Sequence, residues 1–144
     1  MKLYLDNCCF NRPFDDQSQL RVRLETEAKL AIQDDIRLGR HQLVWSYVLD
    51  YENSRNPYNE RREQIAHWRT YAALDIIEEP GVLRRAASLV ECGLSRLDGL
   101  HVACAITGQC DYFLSTDDGI LPKSGRIAEI RIADPITFIK EMSQ

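Results

Sequence analysis

Five short apolar runs, set between longer stretches of helical period, limit how this chain can fold. Leu3 to Leu5, Gln42 to Trp45, Leu74 to Ile77, Asp111 to Ser115 and Ala128 to Ala133 are too short for buried helices and read as strands. Between them, Gln19 to Leu38 carries Leu20, Leu24, Ala28, Ile32 and Ile36 four apart, one side of a helix that Gly39 closes. Ser46 stands at an N-cap position before a short helix, Tyr47 to Asn53, which stops ahead of Pro57. A further helix is expected from Tyr58 to Ala73. Pro80 opens another, with Leu83, Ala87, Val90 and Leu94 as its buried stripe. Ser95 starts the next, which Gly108 ends, and PITFIKEM forms the last. Strands alternating with helices in this way predict an α/β fold: a central parallel sheet of four to five strands, covered on both faces, in one domain over residues 1–144.

Composition narrows the function classes. A length of 144 residues can bury a core without disulfides or a structural metal. No apolar run approaches the roughly 20 residues that span a bilayer, and MKLYLD lacks the apolar stretch of a signal peptide, so no membrane partner and a cytoplasmic location are expected. The five cysteines are odd in number, include the adjacent pair Cys8 and Cys9, and form no CxxC; zinc ligation does not suit that spacing, and reduced, mostly buried thiols do. The net charge of −4 argues mildly against a sequence-independent nucleic-acid binder.

In an open parallel sheet, ligands bind beyond the carboxyl ends of the strands. That rule selects Asp6, which ends the first strand, and Asp117, which follows YFLST. Glu52 lies on the short helix leaving the second strand, and Asp98 in the first turn of the helix before the fourth. Four carboxylates from separate segments can meet on one rim, where repulsion makes them unfavourable without cations. Mg²⁺ or Mn²⁺ suits such oxygen ligands. Each acid also has a plainer role available. Asp6 can accept N–H bonds from the following turn, Glu52 can sit on a solvated helix face, and Ser95 with Asp98 matches a capping box. In TDDG, Asp118-Gly119 reads as turn chemistry, which favours Asp117 as the ligand, and Asp111 falls at the wrong end of its strand. His101 reads as a helix-packing residue rather than a general base.

Three blocks then resemble one family. LYLDNCCFNRP is similar to the first strand and leading aspartate of the PIN-domain ribonucleases, which include the VapC-type toxins of bacterial toxin–antitoxin pairs. VWSYVLDYENSRNP is similar to the family's second strand and glutamate-bearing helix, and SRLDGLHVACAITGQCDYFLSTDD to its aspartate helix and following strand. The resemblance implies a three-layer α/β/α PIN-like domain and hydrolysis of RNA phosphodiesters with one or two Mg²⁺ or Mn²⁺ ions. Its acidic residues fall on Asp6, Glu52, Asp98 and Asp117, with Asn7 and Ser115 in support. It also implies a small antitoxin partner and a homodimer, such dimers being common in the family. Arg12, Arg55, Arg61 and Arg62, interleaved with Tyr58, can track an RNA backbone, or else lie on a solvated face paired with Glu60 and Glu63. A catalytically inactive interaction module of the same fold is the alternative. A haloacid-dehalogenase-type phosphatase would need a second aspartate where Cys8 stands.

Overall fold

The first strand, β1 (Lys2–Leu5), occupies the middle of a five-stranded sheet in a computed structural model that describes residues 1–144. It pairs in parallel with β2 (Gln42–Ser46) on one side and β4 (Tyr112–Leu114) on the other. The edges are β3 (Ala72–Ile76), beside β2, and β5 (Arg131–Ala133), beside β4, so every pairing is parallel. Leu3, Tyr4, Leu5, Phe113 and Leu114 are wholly buried, as central strands covered on both faces must be. Tyr4 stacks on Phe113 and meets His101 on one face, while Tyr112 meets Phe138 on the other.

Seven helices make the outer layers: α1 (Asn7–Asn11), α2 (Leu20–Arg37), α3 (Tyr47–Ser54), α4 (Asn59–His67), α5 (Pro80–Glu91), α6 (Arg96–Thr107) and α7 (Pro135–Met142). The architecture is the expected three-layer α/β/α with an all-parallel sheet. No helix is long and apolar enough to cross a membrane. Ser46 caps α3 through a bond from the Leu49 N–H, and Gly39 follows α2 with φ of 77°, as a left-handed helix stop requires.

Several boundaries and faces differ from the expectation. The helix expected over Tyr58 to Ala73 stops at His67; a 3₁₀ turn covers Trp68–Tyr71, and Ala72 already pairs with Leu43 in the sheet. The last strand is Arg131–Ala133 only, because Leu121–Arg126 forms a 3₁₀ turn and the following residues lead back to the sheet edge. In α5 the buried stripe is Val82, Ala86 and Leu89, which leaves Leu83, Ala87 and Val90 outside. Both stripes are apolar, so periodicity could not choose. In α2, Ile32 and Ile36 are buried but Leu20 and Leu24 are exposed. A strict four-residue spacing advances about 400° per step, so five such positions drift around the helix by about 160°. The inner face of α2 instead carries Glu25, whose carboxylate takes Arg12 at 3.0 Å and Arg21 at 3.4 Å. That pair ties the turn after α1 to the helical layer.

Candidate metal centre

Asp6 is the hub of the rim. Its backbone N–H still belongs to the sheet, donating to the Leu114 carbonyl at 2.9 Å. Its side chain then starts α1, with Oδ1 accepting from the Asn7 N–H at 2.8 Å. The capping role and a place in the acidic cluster therefore coexist. Oδ2 accepts from the Ser115 hydroxyl at 2.9 Å, and the same hydroxyl receives the Asp117 N–H at 3.0 Å. Ser115 thus fixes two of the acids from the end of β4. The Cys8 thiol lies 3.5 Å from Asp6 Oδ2 and 3.4 Å from Ser115 Oγ, closing the pocket beneath them.

Asp98 arrives from α6. Ser95 caps that helix by accepting the Asp98 N–H at 3.1 Å, which is one half of the expected capping box. The Asp98 carboxylate turns to Asp6 and Asp117 instead, and ligand oxygens of these three acids lie within 4.8 Å of one another. Gly99 permits the approach of α5 at this point, since a Cβ there would lie 3.1 Å from the Ala86 carbonyl oxygen. Asp118 stays out of the cluster. Its carboxylate takes both terminal nitrogens of Arg21, at 2.8 and 3.1 Å, and that pairing holds it below the ordinary value. The turn bond goes to Asp117 after all, from the Gly119 N–H at 2.8 Å. Asp111 lies at the opposite end of β4, bonded to the Lys2 N–H.

Glu52 stands beside the trio rather than within it. It forms a second group with Asp6 and His101, and all four predicted acids line one open cleft of about 560 Å³. The Asn7 amide donates to one Glu52 oxygen at 3.0 Å, and His101 Nε2 lies 2.6 Å from the other. Burial pushes the Glu52 carboxyl up, but the hydrogen bond and charge of His101, with the Asn7 amide, outweigh it and hold the carboxyl low. His101 is buried as a packing residue would be, yet both its ring nitrogens are engaged, because Nδ1 lies 2.6 Å from the Tyr4 hydroxyl. A carboxylate can only accept, so Nε2 donates to Glu52, while Nδ1 shares a hydrogen with the Tyr4 hydroxyl. Ser46 Oγ, 2.6 Å from the same hydroxyl, continues the chain. Sequence reasoning missed this role for His101; its position one helical turn after Asp98 was the available signal.

The charges within the trio explain what it needs. Burial raises Asp6 above the ordinary carboxylate value, opposed by His101 and Ser115. Burial also raises Asp98, and the charges of Asp6 and Asp117 add to it. Three hard oxygen donors, two of which (Asp6 and Asp98) disfavour ionisation, fit Mg²⁺ or Mn²⁺, whose charge removes that penalty. The imidazole has no free nitrogen to offer, so the mixed group around His101 fits a metal less well.

Beyond the cleft, the arginines follow neither expectation fully. Arg61 lies over Tyr58 at 4.4 Å and Phe14 at 5.3 Å and donates to the Phe14 carbonyl, whereas Arg55 bonds the Tyr51 hydroxyl. Arg62 holds the Asn56 carbonyl, so none of the three pairs with Glu60 or Glu63. Arg12 borders the acidic cleft, tethered to Asp15 and Glu25. All five cysteines are free thiols, and burial pushes Cys104 and Cys110 up to about 12, which leaves them inert; Cys92 alone is exposed.

The Tyr4–His101–Glu52 relay makes a stability prediction. Tyr4→Phe leaves Ser46 Oγ and His101 Nδ1 without their buried partner, at an expected cost of about 1–3 kcal/mol. Urea unfolding of parent and variant measures it, and an unchanged midpoint would refute the relay.

At the level of sequence, no family model and no curated protein matches the chain. Solved structures do. A chain of the VapBC2 structure from Rickettsia felis, bound to a DNA fragment from its promoter, superposes with a TM-score of 0.59 at 12% identity, covering 93% of this chain and 98% of that one. A chain of VapBC-1 from nontypeable Haemophilus influenzae gives a TM-score of 0.59 at 12% identity, with 94% and 98% covered. With the strand order and the acidic rim, these likenesses identify the fold as the PIN-like α/β/α domain represented in VapBC structures.

Proposed function

We propose that this protein is a Mg²⁺- or Mn²⁺-dependent endoribonuclease of the PIN type, acting in the cytoplasm as the toxin of a toxin–antitoxin pair. The observation that carries the reading is the convergence of Asp6, Asp98 and Asp117, from three distant segments, on one rim of a PIN-like fold. When bound there, such an ion supplies phosphoryl-charge neutralisation and an activated water.

The chain's own groups do the rest. Asp6, Asp98 and Asp117 hold the cation, with Ser115 and the Asn7 N–H fixing the Asp6 carboxylate. Glu52, kept ionised by His101 and the Asn7 amide, faces the same cleft and orients the attacking water or completes the ligand set. Arg12 at the edge of the cleft, and the Arg61–Tyr58–Phe14 stack beyond it, offer a cation to the backbone and a ring face to a base. A small antitoxin and a second copy of the chain are the proposed partners. The exposed stripe of Leu83, Ala87 and Val90 gives either of them an apolar surface.

Cleavage of a mixed set of labelled RNAs with Mn²⁺, and again with chelator, tests the activity. Cleavage that chelator abolishes is the expected result. Cation binding has its own readout in thermal unfolding. At about a hundredfold excess over its Kd, Mn²⁺ is expected to stabilise the protein by about 2.7 kcal/mol. Because Asp6 and Asp98 hold protons above the ordinary carboxylate value, the shift is expected to be smaller at pH 5 than at pH 7. No cleavage and no Mn²⁺ shift would leave an interaction module of the same fold.

A further inference from the structure

A second cavity lies on the far side of α1 from the acids, and its chemistry is the opposite. It has a volume of about 170 Å³ and is lined by Phe10, Phe14, Lys29, Gln33 and Trp68, with Arg37 at its border. Arg12 faces the acidic cleft while the next residues, Pro13 and Phe14, face this cavity, so one turn of chain separates the two.

Two of its polar residues, Lys29 and Gln33, are sunk into the wall, while Arg37 and Gln64 reach it from the exposed side. Lys29 is only 4% exposed, and its ammonium lies over the rings of Phe10 at 5.4 Å and Trp68 at 6.0 Å. No carboxylate is among the charges that act on it. Burial lowers its pKa to about 8, so it remains largely charged at neutral pH. Ring faces offset only part of the cost of burying an ammonium. One helical turn along, Gln33 is 2% exposed, and its amide nitrogen has no hydrogen-bond partner. A buried amide N–H without an acceptor, next to an ammonium that no carboxylate offsets, suits a ligand that brings an anionic acceptor. Phe10, Phe14 and Trp68 give the cavity an aromatic wall, with Arg37 over Trp68 at 4.6 Å, and such a wall suits a flat apolar body.

We propose that this cavity binds a carboxylate carried on an aromatic body, the anion meeting Lys29 and Gln33 and the ring lying among Phe10, Phe14 and Trp68. Inorganic phosphate fits worse, because it leaves the apolar wall of Phe10, Phe14 and Trp68 unused. The ligand's source is either a free aromatic acid or the carboxyl terminus of a peptide ending in an aromatic residue. The site shares Phe14 with the proposed RNA surface but needs neither metal nor RNA to bind its ligand.

Calorimetric titration without metal or RNA tests it, using benzoate and N-acetylphenylalanine as probes and benzamide and inorganic phosphate as controls. At least one charged aromatic probe is expected to bind saturably, with benzamide weaker by roughly tenfold or more. Tighter binding of benzoate assigns the site to a free acid, and tighter binding of N-acetylphenylalanine to a peptide terminus. Lys29→Met is expected to melt no lower than the parent and to lose roughly tenfold or more in affinity. Gln33→Leu gives an independent reading, weakening the same probe by roughly threefold or more. Failure of both charged probes to bind, equal binding of benzamide or phosphate, or unchanged affinity in both variants overturns the proposal.

Discussion

Asp98→Asn is expected to reduce metal-dependent RNA cleavage by about 10³ or more and, at the same time, to make the metal-free protein more stable. On the proposed reading the loss follows because one of three oxygen donors to the cation would become neutral, and about 10³ corresponds to about 4 kcal/mol of transition-state stabilisation. The gain follows from the raised proton affinity of Asp98, set by burial and then by the charges of Asp6 and Asp117. The folded state holds that proton more tightly than the unfolded chain does. Ionising Asp98 therefore costs stability, a cost that is absent at low pH and complete once pH has risen through the folded-state value. The amide removes that cost. Since Asp98 is half open to solvent, the benefit is expected to stay under about 1 kcal/mol, or about 2–3 °C in melting temperature. It should be seen at pH 7 and fade as pH falls toward the ordinary carboxylate range. Adding Mn²⁺ should then stabilise the parent and leave the variant unmoved. Cleavage that survives the substitution would remove Asp98 from the site.

The largest stability effect is expected at Trp45→Ala. Trp45 is fully buried in β2, packs edge-on against Phe10 with ring centroids 5.3 Å apart, and donates its indole N–H to Asp50 at 2.9 Å. Its removal opens a cavity beneath α1 and is expected to cost about 3–5 kcal/mol. Trp45→Phe keeps much of the volume and should cost about half as much. Urea unfolding separates the two, and the slope m should be unchanged if the loss is one of packing. A cost under about 1 kcal/mol for the alanine variant would mean that the core closes over the gap.

How far the chain could be read from its residues depended on what each signal measures. The sheet and its acidic rim were legible because strand-end position is a local property: LYLD, the Ser95–Asp98 cap and STDD each announce their geometry in a few residues. Facing was harder. In α5 the stripes Val82–Ala86–Leu89 and Leu83–Ala87–Val90 are one residue apart and equally apolar, and only the packing of α5 on α6 near Gly99 decides between them. The inner face of α2 was missed because Glu25, Lys29 and Gln33 are polar types that burial usually rejects. The acids' wider surroundings were missed for a similar reason. His101 and Tyr4 are 97 positions apart in sequence, and no local pattern connects them. The same holds for Arg21 and Asp118, whose pairing separates Asp118 from its neighbour Asp117.

The central place of β1 also sets a schedule. Asp6 is made before Asp117, and the two can meet only after β4 has docked beside β1. At ordinary synthesis rates the interval between those two residues is on the order of ten seconds. During it Glu52 and then His101 are made, while the trio still lacks its last member. On the proposed reading, a nuclease organised this way has no competent site until β4 and Asp117 have been made. The ribosome that makes it, and the message being read, would be spared by the order in which the strands emerge.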